Sequence, residues 1–99
     1  MSIANRRKQI DAIDRKLLRL LNGRARIAVR LGGLKKTAGL PLCDPARERH
    51  ILVRARQWNS GPLDSRAVTS LFKQILHECR RMERRAVKTN VLHGERRNA

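Results

Sequence analysis

Residues 10–35 read IDAIDRKLLRLLNGRARIAVRLGGLK, and the spacing of their apolar positions decides the fold. Ile10, Ile13, Leu17, Leu20, Leu21, Ala28 and Leu31 recur at intervals of three and four, the period of one face of an α-helix. Arg24 and Lys35 continue the same seam, where leucine would be expected. Taken singly, each could lay its aliphatic stem on apolar surface and keep its charged head in water. The two lie eleven residues apart, which at 3.6 residues per turn brings them within about 20° of one direction and roughly 16 Å apart along the axis. Two cationic heads so placed can enter one cavity and hold an anion between them.

Outward from this stretch, the helical pattern runs from about Asn5 to Thr37 and stops at Ala38-Gly39-Leu40-Pro41, a C-terminal glycine followed by a helix-breaking proline. A second helix opens at Asp44-Pro45, an acceptor at the N-cap followed by a ring that suits the first helical position. It directs Ile51, Leu52, Ala55 and Trp58 inward and ends at Gly61-Pro62. A third opens near Asp64, with Val68, Leu71, Phe72, Ile75, Leu76, Cys79 and Met82 on its apolar stripe. No strand signal or internal repeat appears. The fold class is therefore all-α, a three-helix chain with one long N-terminal helix. Residues 1–84 form its single domain, and residues 85–99 are expected to be a flexible basic tail.

A first helix of about 33 residues would be about 50 Å long, against a radius of gyration near 13 Å for a compact globule of this size. It must protrude, and two shorter helices cannot cover its whole apolar face. A second copy related by two-fold symmetry would bury the remainder. Gly23, Gly32 and Gly33 each cost about 1 kcal/mol relative to alanine inside a helix. Gly32 or Gly33 marks either a close crossing of backbones or a tolerated defect.

Charge narrows the partners. The chain has 24 Lys and Arg against 8 Asp and Glu, a net charge of +16, which attracts anions of any size. Trp58 and Phe72 are its two aromatic residues, and both fall on apolar faces, so a base-stacking surface is missing and nucleic-acid binding is the weaker reading. Cys43 and Cys79 lack metal-ligand spacing and are expected to be free thiols in a cytoplasmic protein. No apolar run is long enough to span a bilayer or resemble a secretory signal. Glu48 shares the face of Ile51, Leu52 and Ala55, and Glu83 follows Cys79 by four residues on the third stripe. Two cations and two acids from three helices thus face inward, and such charges are costly to bury without a ligand or partner. A polar pocket for a small hydroxylated anion accounts for all four.

Arg7, Ile10-Asp11-Ala12-Ile13-Asp14, Leu20-Leu21-Asn22-Gly23-Arg24, Gly32-Gly33-Leu34-Lys35, Asp44-Pro45-Ala46-Arg47-Glu48-Arg49 and Phe72-Lys73-Gln74-Ile75 through Cys79 together resemble the all-helical chorismate mutases (type II fold), over about residues 5–84. The resemblance implies an intertwined homodimer with two shared active sites, rearranging chorismate to prephenate in phenylalanine and tyrosine biosynthesis without a cofactor or metal. It makes Arg24, and Arg7 from the partner chain, clamps on the substrate carboxylates. Lys35 would hydrogen-bond the ether oxygen and a carboxylate, and Glu48 the ring hydroxyl, assisted by the backbone amide of Asp44. Arg47 would orient this region. Cys79 stands where relatives often carry a small polar residue, and Glu83 where they often carry glutamine beside the ether oxygen. A carboxylate donates a hydrogen bond only when protonated, so the resemblance also implies activity that depends on pH. A relative of the same fold that eliminates pyruvate from isochorismate is the nearest alternative.

Overall fold

The computed structural model describes residues 2–98, with side chains through residue 88. Three helices follow one another: α1 Ile3–Thr37, α2 Pro45–Trp58 and α3 Ser65–Asn98. No strand occurs among the described residues. α1 begins at Ile3, two residues ahead of the expected start at Asn5, because the Ser2 Oγ accepts a hydrogen bond from the Asn5 amide at 3.1 Å. The helix ends as its glycine requires. Gly39 adopts φ +72°, and the amides of Gly39 and Leu40 turn back to the carbonyls of Lys36 and Lys35 at 3.1 and 2.8 Å. Asp44 Oδ1 accepts from the Arg47 amide at 3.1 Å ahead of Pro45, and Asp64 Oδ1 accepts from the Ala67 amide at 2.7 Å, so α2 and α3 both open on aspartate caps.

The packing is lean. α1 and α2 each lie against α3, and the buried apolar residues are small or medium: Ala25, Ala55, Val68, Leu76 and Cys79. Gly32 is buried at the α1–α3 contact, where a Cβ would come within 3.3 Å of the Glu83 Cγ. In place of the close crossing of backbones expected at Gly32 or Gly33, the side chains of Glu83 and Leu42 of the same chain approach Gly32. The protomer measures 63 × 30 × 14 Å with a radius of gyration of 17.7 Å, well beyond the ~13 Å of a compact chain of this length.

Much of the seam that should face inward is uncovered. Ile10 is 57% exposed and Leu20 72%, with Ile13 and Leu17 between them also exposed, because α3 covers only the half of α1 beyond Leu21. Leu31 further along the seam is 48% exposed, and on α2 and α3 three residues assigned inward lie exposed: Leu71, Met82 and Trp58, the last at 75%. Trp58 closes α2 past the Ala55 contact, and the Arg54 guanidinium lies over its ring, 5.2 Å from the ring centroid. The backbone of α3 stays helical to Asn98. The expected flexible tail, residues 85–99, falls mostly outside the described side chains. Among the described residues no helix is long and apolar enough to cross a membrane.

Candidate active site

Where α1 approaches α2 and α3, a cavity of about 260 Å³ opens, just under the ~300 Å³ lower end of ordinary small-molecule sites. Its floor is apolar, including Ile27, Leu31, Ile51 and Leu76. Onto it project Arg24 and Lys35 from α1, Asp44, Arg47 and Glu48 from the start of α2, and Cys79, Arg80 and Glu83 from α3. The helical phase that carried Arg24 and Lys35 along one seam is thus what brings both to one cavity.

Each cation is tethered lightly. Arg24 Nη1 donates to Cys79 Sγ at 3.3 Å, a weak acceptor, and Lys35 Nζ donates to the Leu42 carbonyl at 3.2 Å. Both can exchange these contacts for an anion while their stems stay packed. Glu48 faces inward as expected and has a partner the sequence did not name, since its Oε1 accepts from Arg80 Nη1 in a part-buried ion pair. Arg80 escaped the sequence reading. Its position four residues after Leu76 and three before Glu83, on the flank of the α3 stripe, was the available signal. Asp44 spends its carboxylate on capping α2. Cys43 and Cys79 are both free thiols, the first exposed and the second buried.

Glu83 is 8% exposed, the one buried charged residue among those described. Burial raises its pKa above the ordinary 4.5, Lys35 opposes that shift, Glu48 adds to it, and Arg24 and Arg80 oppose it further. With Glu83 protonated, the four cations of the cavity face two carboxylates, a surplus of two positive charges that suits a dianion. Arg7 does not belong to this protomer's cavity. It lies exposed on α1, seventeen residues or about 25 Å from Arg24 along the helix.

Known proteins share this fold. A chorismate mutase from Thermus thermophilus superposes with a TM-score of 0.82 at 36% identity, covering 84% of this chain and 94% of that one. The chorismate mutase of Helicobacter pylori, solved in complex with prephenate, gives 0.80 at 30% identity over 87% and 93% of the two chains. The bifunctional chorismate mutase/prephenate dehydratase of Aquifex aeolicus is 37% identical over 83 residues, 80% of this chain and 23% of that protein; the chain spans about a quarter of that relative's length. The sequence pattern of chorismate mutase type II matches residues 6–84, which takes in α2, nearly all of α1 and every charged residue of the cavity, and the chain belongs to that family.

Proposed function

We propose that the chain converts chorismate to prephenate. The observation that carries this reading is the convergence of Arg24 and Lys35 on one cavity with Glu48 and a buried Glu83. The rearrangement is unimolecular and pericyclic: a carbon–oxygen bond breaks as a carbon–carbon bond forms, and neither nucleophile nor proton shuttle is required. What it needs is a selected conformer and stabilisation of charge growing on the ether oxygen. Arg24, held over the apolar floor, supplies a planar donor pair to a carboxylate and favours the compact conformer in which the reacting carbons meet. Lys35 donates to the ether oxygen and a carboxylate. Glu48, an acceptor at the cavity wall, takes the ring hydroxyl, and Cys79 keeps Arg24 aimed inward until substrate arrives. Protonated Glu83 is the second donor to the departing oxygen, an electrostatic term worth about 3–4 kcal/mol per preorganised donor.

One protomer leaves the site short of a wall and of a second carboxylate clamp. A homodimer supplies both, because it would cover Ile10, Ile13, Leu17 and Leu20 and carry the partner's Arg7 toward this cavity. Two free thiols fit a reducing, cytoplasmic setting. Incubating the purified chain with chorismate and following loss of substrate with appearance of prephenate tests the reading. Inert chorismate, or pyruvate release from isochorismate in its place, would overturn it.

A further inference from the structure

The ion pair between Glu48 and Arg80 stands in a wall shared by two spaces. Both side chains line the cavity already described and a second groove on the outer side of α2 and α3, together with Leu76. Neither is fully buried, with side-chain exposures of 23% and 29%. A glutamate in such a wall, left without a partner, can rotate toward water in the groove and be lost to the cavity. Arg80 reaches it from α3, and one turn further along α3 is Glu83.

Resting on the reading of the cavity as a chorismate site, we propose that Arg80 is a positioning residue that acts through Glu48: it holds that carboxylate as the acceptor for the ring hydroxyl and balances its charge as felt at Glu83. Two observations bear on the two halves. Arg80 Nη1 bonds Glu48 Oε1 directly, so the acceptor is fixed before any ligand enters. The surroundings of Glu83 complete the case. From α1 it faces Lys35 and Arg24, from α2 Asp44, Arg47 and Glu48, and on its own helix Arg80. Of the α2–α3 pair, Glu48 favours the protonated form of Glu83 and Arg80 opposes it. Seen from Glu83 the two therefore offset one another, and removing either partner exposes the other's bare charge.

The two removals must then act in opposite directions, which a merely structural role would not produce. In Arg80→Gln the unbalanced Glu48 carboxylate should move the alkaline decline of kcat/KM, a property of the free enzyme, to higher pH. Glu48→Gln leaves an unbalanced guanidinium and should move it to lower pH. The double variant should return toward wild type, and Arg80→Lys should keep the wild-type decline. KM in Arg80→Gln should rise about tenfold or more, the order expected when a hydrogen bond to a charged group is weakened, with kcat changed less, because the hydroxyl contact is made in ground and transition states alike. The same four variants are read independently of turnover by NMR titration of the Glu83 side-chain carboxyl. Opposite movements in the two single variants sustain the inference. A Glu83 titration that stays fixed, or moves the same way in both, overturns it, as does a wild-type KM in Arg80→Gln. A wild type that leaves chorismate untouched removes the functional reading alone, since the NMR titrations still decide whether the pair balances at Glu83.

Discussion

At the scale of single residues, the cavity sets cations that cost stability against a function that needs them. Arg24 and Lys35 give up hydration for weak partners, a thiol and one carbonyl, so their removal should leave the fold intact while activity falls. Arg24→Ala and Lys35→Ala are each expected to lower kcat by about 10²–10³, the loss typical of a preorganised donor, with unchanged helical circular dichroism. Near-normal turnover in either would mean that the side chain only snorkels. Glu83 makes a second expectation with a definite sign. Its pKa is raised by burial, with Glu48 assisting and Lys35, Arg24 and Arg80 opposing, so the folded protein holds this proton more tightly than the unfolded chain does. Stability should therefore fall as pH rises above 4.5 and stop falling once the raised pKa has been passed. Glu83→Gln should match wild type in Tm below that window and exceed it above. Under the proposed function the protonated form is the donor to the ether oxygen, so kcat/KM should decline toward alkaline pH and the Gln variant should flatten the decline. A wild-type profile that is level or rises with pH would take Glu83 out of the chemistry.

At the scale of elements, helix boundaries were legible wherever a residue type has one dominant use. Gly39 and Pro41 ended α1, and Asp44-Pro45 and Asp64 opened α2 and α3, because a positive φ, a fixed ring and a capping oxygen are local demands that the neighbouring sequence cannot override. Ser2 is a cap of the same kind, yet the apolar pattern starts later and hid it. Periodicity also found Arg24, Lys35, Glu48 and Glu83, since a helix turns phase into direction. It could not say how far a stripe is covered, which depends on where the opposing helix crosses it. Trp58, Leu71 and Met82 are apolar, in phase and exposed for that reason. Arg80 was hidden by the +16 charge, which makes one further arginine on a helix flank inconspicuous until its partner is known. The glycines of α1 show the same division. Gly32 and Gly33 are neighbours in sequence, but a Cβ on Gly32 meets Glu83 and Leu42 at 3.3–3.5 Å, while one on Gly33 meets nothing within 4 Å. Gly33→Ala should stabilise the protein by up to about 1 kcal/mol through helix propensity. Gly32→Ala should instead displace Glu83 and reduce kcat by up to about 10²-fold, the order of loss when a donor is misplaced by about an ångström. Thermal melts and turnover of the two variants separate local propensity from close approach.

At the scale of the whole molecule, the shape follows from a helix too long for its own chain. α1 has 35 residues, α3 covers half of it, and the uncovered half carries both the exposed Ile10, Ile13, Leu17 and Leu20 and, one turn earlier, Arg7. Apolar surface of that extent is unusual on a monomer. Its proximity to Arg7 is what would join assembly to catalysis under the proposed function. Arg7 and Arg24 are about 25 Å apart along one helix axis, too far for both to hold one small dianion from the same chain, whereas antiparallel pairing of two α1 helices would bring the Arg7 of each toward the other's cavity. Arg7→Ala and Arg24→Ala homodimers should each be nearly inactive, since every site lacks one clamp. When the two variants are mixed and allowed to exchange subunits, a heterodimer has one site missing both clamps and one site missing neither. Random exchange of equal amounts gives heterodimers as half of all dimers, each with one of its two sites intact, so activity should recover to about one quarter of wild type in proportion to the heterodimer formed. With one variant labelled with ¹⁵N the three dimers differ in mass, and native mass spectrometry then measures that fraction independently. Exchange to the expected ratio with activity still absent would mean that each site is contained in one chain, and the exposed half of α1 would then need another explanation.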